Sequence, residues 1–173
     1  DELFNRELKK INAVKLTKRD LAHELTNSAM NKQYLSKNSF GTPYGEHRKI
    51  LELTDQQHFE VFKHAKSYGI DFVETLTAIG TLSLLKLFTP DKLKVASRDL
   101  TNTPLLEVMA ETKIPIILST GMSSAQELED ALTVITKYHD NISILHCLSE
   151  YPSQYRNINL LTIQYLKERY PNY

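Results

Sequence analysis

The sequence predicts an α/β fold of about five parallel strands joined by crossover helices. Three observations predict it: short β-branched runs recur along the chain, capped amphipathic stretches lie between the later ones, and polar residues collect where the runs end. The chain has 173 residues, 41% hydrophobic and 24% charged, a composition that supports one sizeable core. A complete eight-unit α/β barrel needs roughly 250 residues, so a chain of this length built from repeated strand and helix units holds only part of one. No internal repeat and no linker divides the sequence, which reads as a single domain over residues 1–173.

The first strand is expected over 12–17 (NAVKLT). Thr26 to Leu53 then breaks the rhythm, because SKNSFGTPYGEHRK holds two glycines and a proline with no sustained period; this reads as a long loop, and loops of that length tend to be functional. Thr54 and Gln57 make a capping box before a helix carrying Phe59, Phe62 and Ala65, which Gly69 stops. The second strand follows at 70–75 (IDFVET) and the third at 93–97 (LKVAS). Thr103 and Pro104 are a cap and first-turn pair ahead of Leu105, Leu106, Val108 and Met109. A fourth strand at 115–120 (PIILST) leads to a helix opened by Ser123 and Gln126, with Leu128, Ala131, Leu132 and Ile135 on one face. The fifth strand is expected at 142–147 (ISILHC) and a last helix from about Ile158 to Tyr170, ended by Pro171.

Twenty-one basic and twenty-one acidic residues balance, so no chain-wide cationic field gathers nucleic acid or anionic lipid, and any anion needs a local site. No apolar run approaches the ~20 residues that span a bilayer. One cysteine, Cys147, forms no internal disulfide, and no charged-then-apolar leader opens the chain; a reducing cytoplasm is the expected compartment. The start at Asp1, already charged and helix-like and without methionine, is what a fragment would show.

In parallel α/β sheets ligands lie beyond the carboxyl ends of the strands. Those ends here carry Lys15 and Thr17, Thr75 and Thr77, Lys94, Ser97 and Asp99, Ser119, Thr120 and Gly121, then His146, Ser149 and Tyr151. Two lysines supply charge and the hydroxyls supply directed hydrogen bonds, a combination suited to an anion. The Ser119-Thr120-Gly121 turn entering a helix adds backbone N–H groups, although Ser119 or Thr120 could equally serve as a helix cap. A lysine inside an apolar strand is costly unless it is paired or used. His146 and Cys147 lack further metal ligands at useful spacing; Cys147 is expected in the core and His146 as a hydrogen-bonded or site-lining residue. Glu150 reads as either an acid–base group or a solvated carboxylate, and Tyr34, Tyr44, Tyr138 and Tyr155 as structural.

The stretch KVASRDLTNTPLLEVMAETKIPIILSTGMSSAQELEDAL with ISILHCLSEYPSQYRNINLLTIQYLKERYP resembles the sialic acid synthase family. A lysine strand, an ILSTGM turn, an LHC strand and a YP pair occur in the family's order over 93–171, while 12–75 match more loosely through AVKLT, LEL and FVET. The resemblance implies a TIM-type (β/α)8 barrel, here lacking its first and last strands, that condenses phosphoenolpyruvate with an N-acetylated hexosamine such as N-acetylmannosamine to give a nonulosonic acid and phosphate. It implies a divalent metal, manganese or magnesium, whose family ligands have no counterpart in this chain; His146 is not one of them. It also implies that Lys15, Thr75, Lys94, Ser97, Ser119 and Gly121 surround phosphoenolpyruvate, that Asp99 and Thr17 replace a glutamate and a glutamine, and that Ser149 and Tyr151 face the sugar. Lys15, Lys94 and Asp99 are thus the expected catalytic residues. A homodimer fits the resemblance, with neither nucleic acid nor membrane as partner.

The chain departs from the family pattern at Glu74-Thr75-Leu76-Thr77, where Ser-Thr-Pro-Phe is usual, and at Ala96-Ser97-Arg98-Asp99, where Gly-Ser-Gly-Glu is usual. The residues alone also admit a lysine Schiff-base aldolase with Lys94 as nucleophile, or a non-catalytic remnant that keeps the fold. With five strands of eight, the 173-residue chain is expected to be inactive by itself.

Overall fold

A computed structural model describes residues 11–173, so the helix-like start at Asp1 lies outside the described residues. Five strands, β1 (Ala13–Lys18), β2 (Asp71–Leu76), β3 (Lys92–Val95), β4 (Ile116–Ser119) and β5 (Ile142–Leu145), form one sheet in sequential order. The pairings from β2 to β5 are parallel, as βα crossovers require. The described residues divide into two compact units, one of residues 11–72 with Leu76–Thr89 and one of Val73–Thr75 with Pro90–Tyr173.

In the first unit, Asp71 N–H donates to Asn12 O at 3.0 Å, joining the entries of β1 and β2. Helix α4 (Asp55–Ser67) starts at the expected capping box: Gln57 N–H reaches Thr54 Oγ1 at 3.2 Å, and Thr54 N–H reaches Gln57 Oε1 at 2.8 Å. It ends where Gly69 takes φ +68°, a conformation that glycine adopts without strain. Phe62 packs on Phe88 and Phe72 with centroids 4.5 and 5.6 Å apart, and the rings supply much of this unit's core. The segment from Thr26 to Leu53 is not a plain loop. It carries α2 (Asn27–Asn31) and α3 (Tyr44–Leu51), after the short α1 (Leu21–Glu24). A methyl at Gly45 would lie 2.8 Å from Met30 Cε and 2.9 Å from Met30 O, so the glycine lets α3 approach α2. Tyr34 and Tyr44 are structural as expected, stacked edge-to-face at 5.3 Å beside His47.

In the second unit, register sets Thr75, Lys94, Ile117 and Ser143 side by side, and Glu74, Leu93, Ile116 and Ile142 on the opposite face. Leu93, Val95, Ile116 and Leu118 are buried, as are Leu105, Leu106 and Met109 of α5 (Thr103–Glu111) and Leu128, Leu132 and Ile135 of α6 (Ala125–Ile135). The two helices lie against each other. Asn102 caps α5 in place of Thr103, its Oδ1 accepting Leu105 N–H at 3.4 Å. The capping box of α6 is Ser124 with Glu127, one residue beyond the expected Ser123 and Gln126. Both pairs fit the spacing, and a carboxylate is the better partner for a helix N-terminus.

The last three strands end earlier than expected, while β1 and β2 each run one residue further. β3 stops at Val95 and Ser97–Asp99 forms a 3₁₀ turn; β4 stops at Ser119 and β5 at Leu145. The last helix, α7, spans only Leu161–Arg169, because Asn159 takes φ +49° after a 3₁₀ turn at Tyr155–Asn157. Cys147 is half-buried and lines a cavity of about 360 Å³ between α6 and α7, so it is not the core residue expected.

Candidate anion-binding site

The expected site residues divide between the two units. In the first unit, Lys15 is exposed in the middle of β1 and donates from Nζ to Thr17 Oγ1 at 2.9 Å, so this lysine and threonine stand together. Beyond them, the Thr77 hydroxyl contacts Lys18 O at 3.0 Å and Glu24 Oε1, tying the exit of β1 to the exit of β2. Glu24 had no sequence signal, because its partner lies 53 residues away.

In the second unit, Thr75 and Lys94 are register neighbours at the ends of β2 and β3, and Ser119 shares their face at the end of β4. Thr75 is 3% exposed and Ser119 1%, yet neither Thr75 Oγ1 nor Ser119 Oγ has a hydrogen-bond partner. A buried hydroxyl without a partner costs about 1–3 kcal/mol, a cost relieved wherever an acceptor can reach it. Lys94 is half-buried beside them.

The turn after β4 carries the rest of the geometry. Gly121 N–H donates to Ser97 Oγ at 3.0 Å, which locks the 3₁₀ turn after β3 to the exit of β4. A methyl at Gly121 would lie 2.5 Å from Ser149 Oγ and 2.8 Å from Ser97 Oγ, so both hydroxyls close over the bare Cα. Thr120 faces the neighbouring strand: its N–H and its Oγ1 both reach Leu145 O, at 3.2 and 2.8 Å. With Ser124 capping α6, neither Ser119 nor Thr120 caps a helix. Asp99 is 8% exposed, with Arg98 Nε 3.4 Å from its Oδ2.

Other polar residues are occupied structurally. His146 Nε2 lies 2.6 Å from Ile158 O, a hydrogen-bonded histidine as expected. Glu150 accepts from Gln154 N–H at 3.1 Å and from Asn157 Nδ2, pinning its own loop. Tyr151 is 94% exposed. Among the described residues no group of three or more His, Cys, Asp or Glu stands close enough to hold a metal ion, and no helix is long and apolar enough to cross a membrane.

The sequence matches the NeuB family model over residues 7–173. It is 32% identical over 160 residues to N-acetylneuraminate-9-phosphate synthase of Drosophila melanogaster, covering 92% of this chain and 43% of that protein. It is 33% identical over 157 residues to N,N'-diacetyllegionaminic acid synthase of Legionella pneumophila, covering 86% and 44%. Among solved structures, the N-acetylneuraminic acid (sialic acid) synthetase of Leptospira borgpetersenii in complex with citrate superposes with a TM-score of 0.79 at 28% identity, over 96% of this chain and 54% of that one. The chain thus spans less than half the length of these curated relatives.

Proposed function

The chain belongs to the NeuB family, with five parallel strands of a TIM-type barrel, and on that premise we propose that its complete protein condenses phosphoenolpyruvate with an N-acetylated hexosamine such as N-acetylmannosamine, forming a nonulosonic acid and phosphate. The observation that carries the reading is the pair of buried, unpartnered hydroxyls, Thr75 and Ser119, on the face that bears Lys94. Such groups are tolerable in a protein that uses them, and a phosphate or carboxylate offers the acceptors they lack.

In this reading Lys94 and Lys15 offset the substrate's negative charge, while Thr75, Ser97, Ser119 and the Gly121 turn orient it. Asp99 acts as the acid–base group: as C3 of phosphoenolpyruvate bonds to the acceptor aldehyde carbon, the new alkoxide takes a proton; water adds at C2 and gives a proton up, and the C2–O bond to the phosphoryl group breaks, releasing phosphate and leaving the 2-keto acid. Thr17 and Tyr151 belong to the acceptor side; Ser149, expected there, closes over Gly121 beside Ser97 and is read with the anion ligands. The residues described do not fit a divalent manganese or magnesium ion, so that ion is proposed only for the complete protein and no step is routed through it. The same reading carries a homodimer in the cytoplasm without nucleic-acid or membrane partners, and no activity from the 173-residue chain alone.

Replacing Lys94 tests the site. In the complete protein, Lys94→Met removes a charge and keeps an apolar stem of similar length, so KM for phosphoenolpyruvate is expected to rise at least tenfold with an unchanged thermal midpoint. Steady-state kinetics identical to the parent would remove Lys94 from the site. Borohydride trapping of pyruvate on Lys94 would replace the condensation reading with Schiff-base chemistry.

A further inference from the structure

We propose that Thr120 is a positioning residue, whose hydroxyl sets the anion site by fixing the end of β5 against the turn that carries Ser119 and Gly121. The inference rests on the reading of Ser97, Ser119 and Ser149 as anion ligands.

Thr120 lies between two of the proposed ligands and points at neither. Its N–H and its Oγ1 converge on one acceptor, Leu145 O, the last carbonyl of β5. A single N–H···O bond lets the neighbouring chain pivot about it. A second donor from the same residue to the same carbonyl removes that freedom. Four residues beyond Leu145 the chain brings Ser149 Oγ so close to Gly121 that a methyl there would lie 2.5 Å away. The route is therefore short: Thr120 hydroxyl to Leu145 carbonyl, through the His146–Leu148 link, to Ser149 over Gly121. On the other side, Gly121 N–H holds Ser97 Oγ at 3.0 Å, so the three-residue turn fixes hydroxyls from both flanking loops. The two commoner roles of a threonine at such a place are filled elsewhere or inapplicable. Ser124 and Glu127 supply the cap of α6, and the side chain is half-buried rather than packed in the core. Anion recognition by several hydroxyls depends on sub-ångström placement, which is what a doubly held strand end supplies.

The test is a mutant cycle in the complete protein, read by steady-state phosphate release. Thr120→Val keeps the shape and deletes the donor; KM for phosphoenolpyruvate is expected to rise about fivefold, the change one lost neutral hydrogen bond brings, with kcat within about twofold. Thr120→Ser, which keeps the donor, restores the parent KM. In a Ser149→Ala background the valine substitution adds nothing further, because Thr120 acts through that loop. If valine prevents folding, Thr120→Ala carries the same comparison. A parent KM in Thr120→Val, a failure of serine to restore it, or full additivity with Ser149→Ala overturns the inference while leaving the proposed function intact. A parent protein that releases no phosphate overturns both.

Discussion

A methyl at Gly121 meets two hydroxyl tips that can swing away, Ser149 Oγ at 2.5 Å and Ser97 Oγ at 2.8 Å, and Ser97 Cβ at 3.2 Å, which must give by a few tenths of an ångström. The strain of Gly121→Ala is thus relieved by rotating Ser97 and Ser149 off the site, which separates function from stability. In the complete protein, phosphoenolpyruvate turnover should fall at least tenfold while stability changes by about 1 kcal/mol or less, read by enzyme assay and urea unfolding. His139 supports a pH prediction. Its Nδ1 accepts Asn141 N–H at 3.2 Å and its Nε2 is buried, and burial holds the imidazole below its ordinary range against the weaker pull of Asp140. The folded state therefore binds this proton less readily than the unfolded chain. The contribution is intact above the unfolded value of about 6.5 and is lost as pH falls below it toward the depressed folded value. Urea midpoints at pH 7 and pH 5.5 should differ less in His139→Gln than in the parent; equal differences would remove His139 from the acid response. At this scale the sequence located polar strand-end residues, because period-2 alternation and the strand-end rule are local. It could not assign Thr120, whose partner is 25 residues away, or Glu24, whose partner is 53 away.

Element boundaries follow from competition between adjacent residues of similar chemistry. Ser123-Ser124 offers two capping boxes, and the one with Glu127 forms: Ser124 N–H reaches Glu127 Oε2 at 2.7 Å, and the bonds from Ser124 hold the carboxyl below its ordinary range. Ser124→Ala should therefore destabilise α6 by about 1 kcal/mol, and Ser123→Ala by much less, in urea unfolding at neutral pH. The contribution of Glu127 is intact above the ordinary carboxylate range and disappears as pH falls through it. Five strands and the helices α4, α5 and α6 were legible, because their periodicity and caps are written in neighbouring residues. The segment Thr26–Leu53 was not. Its helix α3 is held by Gly45 on Met30 and by Tyr34, Phe40 and Tyr44 around His47, contacts that no local period announces. Strand ends moved inward at Val95 and Leu145, because the chain turns as soon as its ladder partners run out.

For the whole molecule, zero formal charge leaves no net cationic field, and the local features available to an anion are the buried, unpartnered hydroxyls of Thr75 and Ser119 beside Lys94. The family was legible in the order of a lysine strand, an STGM turn and an LHC strand, which are three neighbouring strands and the turn between them. The acceptor of the proposed condensation was not legible, because Arg98 and Asp99 depart from the family pattern and Tyr151 stands in solvent. Phosphate release is the most direct test of the central claim. With phosphoenolpyruvate, N-acetylmannosamine and manganese, a protein completed to the length of its relatives should release one phosphate per nonulosonic acid formed, and the isolated 173-residue chain none. Turnover by the isolated chain, or a completed protein that leaves phosphoenolpyruvate intact with every N-acetylated hexosamine offered, would contradict the account.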